Sequence, residues 1–228
     1  MKAVVFDMDG VLFDTEALCM DSWIAVAKGQ GITDMEQFFP CCIGRNLNDT
    51  TKLFREHYGE AYDYEAFRKE ASKWFWGYIE EHGMPVKKGV NQILPYLKQN
   101  GYRIGLASST GYNSVLDHLK RTAIVDYFEV LVTGDMIEHS KPRPDIYLLA
   151  CRKLGVEPGE AYAIEDSPNG IRSAYAAGMK PIMVPDLIAP DEEMKEKVTA
   201  ICRDLVEVMG YIDHGAAVQP AVEFMKEF

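Results

Sequence analysis

Short apolar runs alternate with longer helix-like stretches along most of this chain, and the runs end on polar or charged residues. That rhythm announces a parallel sheet whose strands are joined by crossover helices. Ala3-Val4-Val5-Phe6 reads as a first strand buried on both faces, because it is continuously apolar rather than alternating. Runs at 102–107, 129–132, 161–164 and 181–184 bring the expected count to five strands. Between them, segments 89–100, 112–122, 145–154 and 171–177 read as helices, and Gly101, Gly155 and Gly178 act as stop signals. The expected architecture is therefore α/β, a doubly wound (Rossmann-like) parallel sheet.

Residues 15–85 break the rhythm. They carry helix-like stretches at 15–30, 48–58 and 64–82 and no convincing strand, with turn signals at Gly29-Gln30-Gly31 and His82-Gly83-Met84-Pro85. A crossover rarely needs so many residues. The segment is read as a helical domain inserted into a core made of residues 1–14 and 86–228. The tail from Gly215, with Val218, Val222 and Met225 at helical spacing, finds no place in this scheme.

At 228 residues the chain buries roughly 70–75% of its unfolded surface and needs no staples. With 24 Lys and Arg against 35 Asp and Glu, the formal net charge is -11. Such a surface repels nucleic acid and anionic membranes at long range, so neither is expected as a partner. A small anionic metabolite remains compatible, because local donors or a metal overrule the mean field. No apolar run reaches the ~20 residues of a membrane helix, and the start lacks a signal-peptide pattern. Cys19, Cys41, Cys42, Cys151 and Cys202 show no C-x-x-C pairing and read as scattered thiols of a reducing cytoplasm. A cytoplasmic monomer is expected.

In open parallel sheets, ligands sit at the carboxyl ends of the strands. Asp7-Met8-Asp9-Gly10 follows the first strand, Ser108-Ser109-Thr110 the second, and Glu165-Asp166-Ser167 the fourth, with Lys141 beyond the third. Carboxylates gathered in one crevice repel one another unless a cation joins them. An all-oxygen donor set favours Mg²⁺ over zinc. Lys141 and the Ser108 hydroxyl would add donors for phosphoryl oxygens, and Gly10 suits a chain turning sharply beside a ligand. Each motif alone has a plain structural reading: an Asp-rich turn, a helix cap, a solvated lysine, a Ser-Pro helix start. Their joint occurrence, in order and each at or beyond a strand end, points to a phosphoryl site.

The segment Phe6-Asp7-Met8-Asp9-Gly10-Val11-Leu12-Phe13-Asp14-Thr15-Glu16, with Ser108, Lys141 and Glu165-Asp166, resembles the four motifs of the haloacid dehalogenase-like hydrolase superfamily. The position of the insert resembles the helical cap of the β-phosphoglucomutase and sugar-phosphatase subfamily. The resemblance implies Asp7 as nucleophile, forming an aspartyl-phosphate, and Asp9 as general acid and then base. It implies Mg²⁺ held by Asp7, the Asp9 main-chain carbonyl and Asp166, with Glu165 ligating directly or through water. Ser108 and Lys141 would bind the transferring phosphoryl oxygens.

Gly10, Ser109, Thr15, Arg45 and Asn46 are the expected substrate contacts. Cys19 is a further candidate, with Lys73, Trp74 and Trp76 as outer ones, although Trp74-Phe75-Trp76 reads foremost as core packing. His57, His82, His118, His139 and His214 form no metal spacing and receive no role. The expected activity is Mg²⁺-dependent hydrolysis of a small phosphate monoester, sugar-like in character. A phosphosugar mutase is the alternative; mutase-type relatives carry a histidine about where this chain has Cys19 and an arginine further past the glycine than Arg45. A non-catalytic regulator binding a phosphometabolite is the second alternative.

Overall fold

The computed structural model describes residues 2–59 and 62–214. β1 (Ala3–Phe6) is followed by α1 (Thr15–Gly29), α2 (Met35–Phe38), α3 (Leu47–Tyr58) and α4 (Tyr64–His82). The alternating part then runs α5 (Val90–Gln99), β2 (Arg103–Ser108), α6 (Tyr112–Arg121), β3 (Val130–Thr133), α7 (Asp145–Leu154), β4 (Ala161–Glu165), α8 (Pro168–Ala176), β5 (Lys180–Met183), α9 (Glu192–Lys197), β6 (Ala200–Ile201) and α10 (Leu205–His214). The strands form one parallel sheet of order β3-β2-β1-β4-β5-β6. The chain winds one way from β1 to β3 and then restarts at β4 on the other side of β1. The direction of winding therefore reverses at β1, where such sheets open a crevice.

The sheet has six strands where the sequence pattern suggested five. The extra one, β6, is two residues long and packs at the edge beside β5, too short to register as an apolar run. The tail from Gly215 lies outside the described residues. Among the described residues no helix is long and apolar enough to cross a membrane.

Two layers flank the sheet, which explains the continuous apolar character of β1. Val4 and Phe6 face a core built with Ile93, Leu97, Leu119 and Val208 from α5, α6 and α10. Ala3 and Val5 face the opposite core with Ile146, Ala150 and Leu154 of α7 and Ala174 of α8. Caps mark the helix starts. Ser167 accepts from the Gly170 amide at 3.1 Å with Pro168 in the first turn of α8, and Asp63 accepts from Glu65 and Ala66 at 3.0 and 3.1 Å before α4.

The helices α1 to α4 have a separate, largely aromatic core. Trp23 of α1 stands edge-on to Phe39, Phe54, Tyr64 and Phe67 at centroid distances of 5.3 to 6.3 Å. Such contacts contribute roughly 0.5–1.5 kcal/mol each beyond area burial. The segment at 43–49 meets the sheet side through side-chain bonds. Ser109 Oγ donates to the Gly44 carbonyl at 2.9 Å, Asn169 Nδ2 to the Ile43 carbonyl at 3.2 Å, and the Ser140 hydroxyl to Asp49. The helical layer thus sits over the carboxyl ends of the strands.

Candidate active site

β1 ends at Phe6, and its continuation delivers Asp7 into the crevice; the Asp7 amide still donates to the Ile164 carbonyl of β4 at 2.9 Å. Lys141, fully enclosed at 1% exposure, joins two carboxylates from the strands on either side of that crevice. Its Nζ lies 2.6 Å from Asp7 Oδ1, 2.6 Å from Glu165 Oε1 and 3.1 Å from the Ala107 carbonyl. All three ammonium protons are therefore used. The Tyr147 hydroxyl also donates to Glu165 Oε1. Gly170 makes room for that carboxylate, because a Cβ there would stand 2.0 Å from it.

After Asp7 the chain folds into a tight loop. The Gly10 amide donates to Phe13 O at 2.8 Å, and the Leu12 amide to Met8 O at 2.8 Å. Gly10 has φ +80, and a Cβ at this position would meet Asp166 Oδ2 at 2.4 Å. Only glycine lets the loop pass this close to the Asp166 carboxylate. Asp9 turns the other way. Its Oδ1 accepts from the Thr15 hydroxyl at 2.6 Å and its Oδ2 from the Thr110 hydroxyl at 2.8 Å.

Carboxylate oxygens of Asp7, Glu165 and Asp166 approach within 4.8 Å of one another. Three buried carboxylates around one lysine leave excess negative charge in a poorly solvated place. The donor set, all hard oxygens, fits a divalent cation such as Mg²⁺. The Asp9 side chain stands outside this group, its two oxygens bonded to the Thr15 and Thr110 hydroxyls. One oxygen of Glu165 is held by Lys141 and Tyr147, and one of Asp7 by Lys141.

Burial pushes the Asp7 carboxyl up to about 8, with Glu165 adding to the rise and Lys141 opposing it. Burial also raises Asp166 well above the usual range, helped by Glu165 and Asp7. For Lys141, burial works against the ammonium, but Asp7 and Glu165 overcome it and its pKa is raised. Asp7 and Asp166 hold protons that the unfolded chain releases from about pH 4 upward. Without a cation, stability falls as pH rises from there towards the folded pKa. A cation displaces those protons, so its affinity rises over the same interval. Calorimetry in buffers of different ionisation enthalpy is expected to show proton release on Mg²⁺ binding, and Mg²⁺ is expected to raise the melting temperature more at pH 8 than at pH 6. Equal gains at the two pH values contradict this coupling.

Above the carboxylates lies a cavity of about 440 Å³, roofed by the helical layer. Asp7, Asp9, Arg45, Asn46 and Ser109 line it, as do Cys19 and Trp76. Several expected contacts also have structural duties. Thr15 spends its hydroxyl on Asp9, Ser109 spends its hydroxyl on Gly44, and Asn46 Oδ1 caps α3 by accepting from the Asp49 amide at 3.0 Å. Arg45 is half-buried, with Nε donating to the Cys41 carbonyl at 2.9 Å. Ser108 is buried, and its Oγ accepts from the Thr110 amide at 3.1 Å. Lys73 points to solvent, and Trp74 stacks on Tyr78 at the surface.

Three features depart from the sequence expectation. Trp74-Phe75-Trp76 is not core packing: Trp74 is exposed, and Phe75 and Trp76 line the cavity because they meet His118 of α6 rather than the aromatic cluster around Trp23. Glu16, the residue after Thr15, is also in the wall, its carboxyl raised first by burial and then by Asp9 and Asp7. His118, assigned no role from spacing, is there too. It sits on the apolar side of α6 between the buried Val115 and Leu119, the one sequence signal that singles it out.

The haloacid dehalogenase-like hydrolase family matches residues 4–184. The chain belongs to that family. This hydrolase is 35% identical over 207 residues to the Bacillus subtilis protein YhcW, designated a phosphatase, covering 82% of this chain and 85% of that one. It is 33% identical over 186 residues to the phosphorylated carbohydrates phosphatase of Thermotoga maritima, covering 80% and 84%. Its fold superposes on CbbY from Rhodobacter sphaeroides, crystallised with xylulose 1,5-bisphosphate, at a TM-score of 0.78 with 25% identity, over 91% and 96% of the two chains.

Proposed function

We propose that this hydrolase is a Mg²⁺-dependent phosphatase acting on the monophosphate ester of a small polyhydroxylated compound of the sugar or polyol class. The observation that carries the reading is the Asp7 carboxylate, ion-paired to Lys141 and within 4.8 Å of Glu165 and Asp166 oxygens, at the floor of a cavity sized for a metabolite. The activity named for the Thermotoga relative and the sugar bisphosphate bound in the Rhodobacter structure support the substrate class.

Asp7 Oδ attacks phosphorus and forms the aspartyl-phosphate, while the alcohol leaves with a proton supplied by Asp9; Asp9 then takes a proton from the attacking water. The threonine hydroxyls hold the Asp9 carboxylate in place between the two half-reactions. Lys141 orients Asp7 and offsets charge on the phosphoryl oxygens, and the Ser108 hydroxyl and loop amides add donors. Asp7, Asp166, the Asp9 carbonyl and Glu165 would hold Mg²⁺, which when bound neutralises charge between carboxylates and phosphate. Residues 15–85 act as a cap that shields the site from water and reads the leaving alcohol.

The test is phosphate release by the purified enzyme from hexose and hexitol monophosphates, glycerol phosphate and p-nitrophenyl phosphate, with Mg²⁺ and with EDTA. Turnover in Mg²⁺ that EDTA abolishes is the expected result. No turnover of any member sinks the phosphatase reading. Conversion of β-glucose 1-phosphate to glucose 6-phosphate, given the 1,6-bisphosphate and without free phosphate, replaces it with a mutase.

A further inference from the structure

His118 is the one described residue in the cavity wall whose buried ring nitrogens both lack a protein hydrogen-bond partner. It is only 4% exposed. Buried polar side-chain atoms nearly always find a partner, and leaving one without is costly. The ring is held by its faces and edges rather than by bonds. Phe13 meets it edge-on at 5.8 Å, Phe75 stacks at 6.2 Å with 26° between planes, and Trp76 stands at 5.3 Å. Arg121, one turn along α6, lies 5.1 Å over the Trp76 ring and steadies that wall. Burial lowers the His118 pKa, although Asp9 and Asp117 oppose the fall, so the ring is neutral near pH 7, with one donor and one acceptor.

We propose that His118 determines substrate specificity by hydrogen-bonding a hydroxyl group of the alcohol that leaves Asp7's phosphoryl group. This rests on the phosphatase reading and adds to it the residue that distinguishes a hydroxylated alcohol from an apolar one. Three aromatic neighbours fix the ring in the cavity wall. A substrate hydroxyl can both donate to and accept from an imidazole, whereas the p-nitrophenyl group has no donor and only the weak acceptors of its nitro oxygens. A site built to bond a hydroxyl discriminates strongly against analogues that lack it, because its own polar group is then left unpaired.

The experiment compares wild type, His118→Phe and His118→Gln on the best hexose or hexitol monophosphate and on p-nitrophenyl phosphate. His118→Phe is expected to lose about 10- to 100-fold more kcat/KM on the hydroxylated substrate than on p-nitrophenyl phosphate, mainly through KM. His118→Gln, which keeps a donor and an acceptor, is expected to recover part of that gap. Equal losses on both substrates, or no loss, overturn the proposal and assign the residue a packing role. Should neither variant fold, deoxy analogues of the best substrate assayed with the wild type decide. One of them is expected to lose at least about 10-fold, and uniform turnover of the deoxy series is an overturning result. Failure of the wild type on every probe removes the phosphatase reading as well; equal losses with an active wild type remove only this inference.

Discussion

Replacing Asp7 by asparagine is expected to lower phosphate release by on the order of 10⁴-fold or more while leaving the protein folded, because the amide is a poor nucleophile of nearly the same shape. Two consequences separate loss of chemistry from loss of structure. First, Lys141 keeps its 2.6 Å ion pair with Glu165, so the variant retains a buried charge pair and its melting temperature stays within a few degrees of wild type. Second, the asparagine carries no titrating proton. The part of the stability loss with rising pH that comes from the Asp7 carboxyl, raised to about 8, therefore disappears. Quenched-flow trapping and mass spectrometry are expected to find a phosphorylated Asp7 in wild type and none in the variant. A variant that still releases phosphate at even a tenth of the wild-type rate removes Asp7 from the chemistry.

Lys141→Met carries the largest expected structural effect. The lysine is 1% exposed and joins Asp7 to Glu165, which is fully buried, so its removal leaves two close carboxylates without their cation. Breaking a buried pair from one side costs about 3–5 kcal/mol. For a chain of this size that is a fall of roughly 6–20 °C in melting temperature. The penalty has a pH sign. With Lys141 gone, Asp7 stays protonated to still higher pH. A carboxyl whose folded pKa exceeds its unfolded value stabilises at low pH and progressively less as pH rises. The wild-type carboxyl itself titrates at about 8, so the difference between variant and wild type is expected to stay level from pH 5 to pH 7 and to widen above about pH 8, and Mg²⁺ to narrow it. Activity is expected to fall about 10²- to 10³-fold or further, the usual cost of losing one preorganised charge at a reacting centre. A stability difference that stays level through pH 9 would show that the lysine is not the counter-charge of Asp7.

The amino-acid sequence by itself determined the sheet class and which polar side chains stand at its rim. Apolar runs buried on both faces must read as continuous apolar tetrapeptides, and the polar residues just after them must emerge at strand ends. Asp7, Asp9, Ser108 and Glu165-Asp166 were legible for that reason, and Lys141 from its place beyond β3. What only the tertiary structure decided is which side chains, distant in sequence, share one space. That Asp9 is clasped by Thr15 and Thr110, that Glu165 answers to Lys141 and Tyr147, and that Glu16, Trp76 and His118 face the cavity depend on how α1, α4, α6 and α7 are rotated about their axes and on the course of the loops that carry Thr110 and Lys141. A helix presents one apolar stripe whether it covers a core or closes a pocket, so periodicity places Val115, His118 and Leu119 on one face without saying what stands opposite. Only packing supplies that other side, and with it the reason a histidine is there.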